Sequence, residues 1–226
     1  VDEGELVGII GPNGAGKSTL CNCITGFLDV DGGTVTFRGE DVTNLKSHEL
    51  AQLGIARTFQ LTRELETMKV TENMMLPPKD HPGERLVPAV VGSSDVADTE
   101  AAIREEVAEL LERFELDHVA DEYAGNLSGG QRKLLEFARV MMIEPDLLML
   151  DEPFAGVNPT LTQKLLSYIE AASDDGLTIL IIEHEIGTLA SLVDRLVVLH
   201  NGRVLADGAP DSVLQDERVR DAYLGA

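Results

Sequence analysis

The chain has 226 residues, 43% of them hydrophobic, enough for a sizeable core in one large domain or two small ones. Aromatic residues make up only 4% and tryptophan is absent, which disfavours a base-stacking groove. Eighteen Lys and Arg face 40 Asp and Glu, a net charge of −22. That charge repels phosphate backbones and excludes general nucleic-acid binding; such acidity keeps a folded chain soluble and is a lever used by halophiles.

The chain opens as VDEGELVGII, with neither a basic n-region nor a cleavage pattern of a signal peptide. It lacks an initial Met and enters an apolar strand almost at once, so we expect an N-terminal segment to lie outside this sequence. Residues 6–10, LVGII, predict a short buried strand. A glycine-rich loop follows, then a helix over about 18–27. Cys21 and Cys23 on that helix are two apart, point in different directions and do not suit a disulfide; the expectation is buried free thiols in a reducing cytoplasm. TVTFRG (34–39) alternates like a half-exposed strand, and GIARTFQ (54–60) predicts another, ending at Gln60.

From about 61 to 126 the texture changes. PPKDHPGERLVPAVVGSS reads as loop, and residues 99–115 place apolar positions at helical spacing between charges. Beyond them, DLLMLD (146–151) and LTILIIEH (177–184) predict buried strands separated by an amphipathic helix over 160–173. RLVVLHNGRVLADG (195–208) predicts a hairpin turning at Asn201-Gly202. No apolar run reaches the ~18 residues of a membrane span. Strands that alternate with helices and are themselves almost wholly apolar predict an α/β fold with a mainly parallel sheet, a small antiparallel part and a small helical insertion.

Two stretches are laid out to meet phosphate. Gly11-Pro12-Asn13-Gly14-Ala15-Gly16-Lys17-Ser18 satisfies G-x-x-x-x-G-K-[ST], with a strand before it and a helix after it. Its backbone amides, with the helix dipole behind them, would cradle phosphates, Lys17 would reach the β- and γ-phosphates and Ser18 would hold Mg²⁺. Asp151 ends an apolar strand where its carboxylate can meet the metal, and Glu152 can polarise a water for attack on the γ-phosphorus. Gln60 can complete the metal site or place that water. His184 follows a strand and, taken alone, reads as structural. The second stretch is NLSGGQRK (126–133), two glycines opening a helix.

Together GPNGAGKST, Gln60, LSGGQ (127–131), DLLMLDEP (146–153) and His184 resemble, in order and spacing, the ATP-binding-cassette ATPases. The resemblance implies a P-loop NTPase (RecA-like) core as one nucleotide-binding domain over 1–226, with a helical subdomain inserted at about 61–140 and the domain's usual N-terminal strands expected to lie outside this sequence. It implies ATP and Mg²⁺ as cofactors, nucleotide contacts from Asn13, Gly14, Ala15, Gly16, Lys17, Ser18 and Thr19, and metal contacts from Ser18, Gln60 and Asp151. Glu152 resembles the general base, His184 the switch histidine on the γ-phosphate, and Gln60 the residue linking the metal to the helical subdomain. In that family two domains pair head to tail, so Ser128, Gly129, Gly130 and Gln131 would close on ATP held by a second subunit. That explains two phosphate loops in one chain.

Two features depart from the family pattern. No aromatic residue stands upstream of Gly11 to stack on adenine, and Asn158 replaces the Asp that many members carry. The single cassette, and the short stretch between Gln60 and Leu127, do not fit the coiled-coil repair members or the two-cassette translation factors. GIARTFQ, LDEPFAGVNP, IIEHEI and GAPDSVLQDERVRDAYLG resemble the ATPase subunits of branched-chain amino-acid importers. This implies a membrane permease and a solute-binding protein as partners, at the cytoplasmic face of the membrane. Lipopolysaccharide-export and iron–sulfur assembly ATPases are the alternatives.

Overall fold

The computed structural model describes residues 1–58, 65–76, 94–184 and 186–224. It divides into two compact units, Val1–Gln60 with Pro145–Ala226, and Leu61–Glu144. In chain order the first unit begins with β1 (Leu6–Ile10), α1 (Lys17–Ile24), β2 (Thr36–Phe37), β3 (Glu40–Asp41), α2 (Ser47–Gln52) and β4 (Ile55–Arg57). The second unit holds α3 (Val70–Met74), α4 (Ser94–Arg113) and α5 (Gly129–Met141). The chain then returns to the first with β5 (Leu147–Asp151), α6 (Pro159–Asp174), β6 (Thr178–Ile182) and α7 (Ile186–Ala190). It ends with β7 (Arg195–His200), β8 (Arg203–Gly208), α8 (Pro210–Gln215) and α9 (Glu217–Leu224).

Six strands form one sheet in the order β4-β5-β6-β1-β7-β8, parallel except for the antiparallel β7–β8 pair, while β2 and β3 form a separate antiparallel pair. Every residue of β1 and β6 is buried, which is why both read as unbroken apolar runs rather than as alternations. Val7, Ile9, Met149, Leu180, Ile182 and Leu199 make one core cluster with Cys21 of α1. Each such aliphatic side chain contributes roughly 1.5–3 kcal/mol by leaving water.

Two elements stop short of their sequence expectation for a local reason, and a third ends before residues that lie outside the described ones. Helix α1 ends at Ile24 rather than near Phe27, because Gly26 takes φ 70° against the Leu45 carbonyl, a place with no room for a Cβ. The strand expected over 34–39 keeps only Thr36 and Phe37, because Arg38 (φ 51°) and Gly39 (φ 83°) reverse the chain into β3. Strand β4 is Ile55–Arg57, and Gln60, expected at its end, lies outside the described residues. The PPKDHPGERLVPAVVG stretch also lies outside them. The β7–β8 hairpin turns at Asn201 (φ 49°) and Gly202 (φ 73°), the left-handed pair its sequence demands. Cys21 is fully buried and its thiol is pushed up to about 12 by that burial, but Cys23 is only half-buried; both are free.

The second unit has its own core. Ile103, Val107 and Leu111 recur every fourth residue along α4 and are buried, as the helical spacing requires. Phe114 meets Phe137 of α5 edge to face at 5.5 Å, a geometry the ring quadrupoles favour.

Candidate functional site

The register of the sheet brings the chemistry together. Ile182 pairs with both Ile9 and Asp151, so β1, β6 and β5 end side by side. In open parallel sheets, ligands bind beyond these carboxyl ends. The glycine loop comes directly after β1, Glu152 directly after β5, and Glu183 with His184 directly after β6.

The loop is braced from the β7–β8 turn, where the Gly202 N–H donates to the Ala15 carbonyl at 2.9 Å, and internally by the Ala15 N–H to Pro12 O at 3.1 Å. Gly11 lies against the Leu199 carbonyl, where any side chain would collide. Asn13, Gly14, Ser18 and Thr19 are on or next to the exposed rim, whereas Ala15 is buried and Gly16 partly so. Lys17, the first residue of α1, is buried, and its Nζ donates to the carbonyls of Gly11 (2.6 Å) and Pro12 (3.3 Å). Burial pulls the ammonium below the ordinary lysine range, and the nearby charges of Glu152 and Asp151 oppose that pull.

Asp151 is 5% exposed, and its Oδ2 accepts from Arg57 Nη2 at 2.6 Å. Arg57 is not singled out by the sequence, because its partners Asn22, Thr25 and Asp151 lie 35, 32 and 94 residues away. Glu152 stands in the left-handed region at φ 50°, with its N–H on the Ile182 carbonyl at 2.9 Å. A non-glycine residue held there stores strain that the surrounding structure must enforce. Its Oε1 meets Nε2 of His184.

Glu183 is a second residue that motif and spacing do not mark. It is 3% exposed; its Oε1 accepts the Phe154 N–H at 2.9 Å and its Oε2 accepts the His184 N–H at 3.1 Å. One carboxylate thus fixes both the segment after Glu152 and the histidine that contacts it. Burial raises the Glu183 pKa; its two N–H partners work against the rise, and the Glu152 charge adds to it.

The donor set suits magnesium. Ser18 and Asp151 offer hard oxygen ligands, and Mg²⁺ is commonly bound by one or two protein groups together with substrate phosphates. Among the described residues no group of three or more His, Cys, Asp or Glu could hold a metal by itself.

In the second unit, LSGGQ is a helix start. Ser128 caps α5: its Oγ accepts the Gln131 N–H at 3.3 Å, and Gln131 Oε1 accepts the Ser128 N–H at 2.9 Å. Gly129 is exposed, with open space where a Cβ would stand. Arg132 donates to the carbonyls of Leu127 (3.0 Å) and Gly125 (2.9 Å), holding the approach to the motif. Gln131 Nε2 also lies 3.4 Å from His118 Nε2, a neighbour that spacing gives no means of finding.

A phosphate loop on β1, paired acids at the ends of β5 and β6, and a separate LSGGQ helix define a nucleotide-hydrolysing cassette. The chain belongs to the ABC transporter family, whose pattern matches residues 1–155, and it is an ATPase subunit of that family. Within it the chain is homologous to branched-chain amino-acid transport ATPases, and residues 203–226 match the pattern of the branched-chain amino acid ATP-binding cassette transporter. It is 42% identical over 226 residues, 100% of this chain and 87% of the relative, to the probable branched-chain amino acid transport ATP-binding protein LivG of Archaeoglobus fulgidus. It is 38% identical to the high-affinity branched-chain amino acid transport ATP-binding protein BraF of Pseudomonas aeruginosa, covering 100% of this chain and 89% of that one. Two similar solved structures are a nucleotide-free ATP-binding cassette from an ABC transporter (TM-score 0.83) and an ADP conformation of such a cassette (TM-score 0.84). Each is 39% identical, over 100% of this chain and 90% of the other. The fold expected from sequence, a P-loop core with a mainly parallel sheet and a small antiparallel part, is the fold found.

Proposed function

We propose that this chain hydrolyses ATP at the carboxyl ends of β1, β5 and β6 to drive import of branched-chain amino acids or a similar polar solute through a separate permease. Residues 13–19 bind the phosphates through backbone amides, the Ser18 and Thr19 side chains and the Lys17 ammonium. Mg²⁺, held by Ser18, Asp151 and Gln60, would neutralise charge across the β- and γ-phosphates. Glu152 takes the proton from the attacking water, and His184 orients its carboxylate and reaches the γ-phosphate. A second cassette subunit closes the site with its own Ser128, Gly129, Gly130 and Gln131, and the whole assembly sits peripherally at the cytoplasmic face beneath the permease. Hydrolysis then reopens the pair.

The observation that carries this reading is Glu152 itself: a strained, left-handed glutamate whose carboxylate rests on His184 while its charge reaches Lys17. The test is Glu152→Gln, carrying any N-terminal segment of the natural protein and recovered from native membranes in ATP and Mg²⁺. Hydrolysis should fall about 10²–10⁴-fold with ATP binding retained. A multi-span permease should co-purify. Parental turnover would remove Glu152 from the reaction, and recovery of soluble scaffold proteins alone would reassign the chain to an assembly ATPase.

A further inference from the structure

The cation beside Asp151 is not required by the hydrolytic scheme. Arg57 ends β4, its side chain is 11% exposed, and it donates to Asp151 Oδ2 (2.6 Å), Asn22 Oδ1 (2.7 Å) and Thr25 Oγ1 (3.1 Å). Its guanidinium also lies 5.7 Å from the Phe27 ring centroid. Asn22 is on α1 and Thr25 caps its end, so one guanidinium joins the helix behind the phosphate loop to the acid at the end of β5. An ion pair this buried contributes little net stability relative to an apolar pair, so stability alone does not account for it.

The surrounding charges do. Asp151 and Glu152 are consecutive acids at a buried strand end, and Glu183 directly follows the neighbouring strand. Among the described residues these acids cannot hold a metal by themselves, but without a nearby cation their negative charge would raise the affinity of the Asp151 carboxylate for a divalent ion even in the absence of nucleotide. Lys17 lies near both Asp151 and Glu152, but its chemistry is directed to the phosphates. We propose that Arg57 is a positioning residue that serves as the resident counter-ion of Asp151, so that the divalent metal enters only with a nucleotide whose phosphates supply the missing negative charge. This inference rests on the reading of Asp151 as a metal ligand. Removing Arg57 has two opposed effects: the carboxylate loses a fixed orientation, which weakens metal binding, and the metal loses a repelling unit charge, which strengthens it. The second is larger, because a divalent ion near a unit charge at effective dielectric ~20 experiences several-fold more than the effect of one lost rotamer restraint.

The test is Mn²⁺ binding, followed by electron paramagnetic resonance, with and without ADP. Without nucleotide, Arg57→Met should bind Mn²⁺ about tenfold or more tightly than the parent. Arg57→Lys, which keeps the charge, should resemble the parent, and Arg57→Met with Asp151→Asn should lose the gain. Equal Mn²⁺ affinity in parent and Arg57→Met would overturn the counter-ion role. Should Arg57→Met not fold, the parent decides: its nucleotide-free Mn²⁺ binding should be unchanged by Asp151→Asn, and a fall would overturn the proposal. In ADP, Asp151→Asn should weaken Mn²⁺ binding; if it does not, the metal-ligand reading of Asp151 fails instead.

Discussion

Glu152 and Glu183 occupy equivalent places beyond adjacent strands, yet their surroundings give them different work. Glu152 meets an imidazole on strained backbone, whereas Glu183 is satisfied by two backbone N–H groups and bears on the site only through the segments it holds. Its raised pKa has a thermodynamic consequence. In the window between the ordinary glutamate value of 4.5 and its own higher value, the folded chain binds more protons than the unfolded chain. Stability linked to Glu183 is therefore greatest below that window and falls as pH rises through it. Glu183→Gln keeps an acceptor for Phe154 but turns an amide donor toward the His184 N–H, a loss of about 0.5–1.5 kcal/mol that does not depend on pH. The difference in unfolding free energy, parent minus variant, should decline with rising pH across the window. A flat difference in urea titrations would show that folding does not raise the Glu183 pKa. Glu152 and His184 are marked in the sequence through the family resemblance, His184 alone reading as structural, and the structure brings their side chains together. Glu183 and Arg57 are not: one reads as an acid beside a histidine, and the other acquires its meaning from residues up to 94 positions away.

At the scale of elements, Asn158 shows how a departure in sequence can preserve a structural task. Its side chain caps α6, accepting the Leu161 N–H at 3.0 Å, with Pro159 at the first helical turn. Asn and Asp are near equals as N-caps, so the replacement leaves the helix start intact while removing a charge. Asn158→Ala should cost about 0.5–2 kcal/mol and Asn158→Asp only a few tenths, read from urea midpoints at constant slope. A silent Asn158→Ala would mean that the cap is satisfied by solvent. Elements whose patterning comes from burial are readable in the same way: LVGII, LLMLD and TILII form β1, β5 and β6, and residues 160–173 fall within α6. Ends set by backbone hand are not. Gly26 stops α1 early, and Arg38 with Gly39 folds an expected six-residue strand into a hairpin, because a left-handed φ at one residue leaves no periodic trace. The six-stranded order, with β1 between β6 and β7, also exceeds what alternation reveals, since strand neighbours are chosen by crossover geometry.

Across the whole molecule the governing quantity is charge. No helix among the described residues is long and apolar enough to cross a membrane, and a chain of −22 is repelled by anionic headgroups. In the proposed assembly, placement at a membrane would therefore rest on contacts with the permease rather than on attraction to anionic lipid. The same charge bears on pairing. In the proposed head-to-tail pair, two chains of net charge −22 each approach one another, and their repulsion would oppose the closure attributed to ATP. Added salt shortens the Debye length from about 10 Å at 0.1 M to about 3 Å at 1 M, which weakens that long-range repulsion. Close contacts inside such a pair would be screened far less. Raising KCl from about 0.1 to 1 M should therefore increase the dimer fraction of Glu152→Gln in ATP and Mg²⁺, measured by sedimentation velocity at fixed protein concentration. An increase without ATP as well would mark non-specific association. A dimer fraction that falls with salt would show that opposite charges facing each other across the pair outweigh the net charge, and the surface acids would then have to be assigned a local role in pairing.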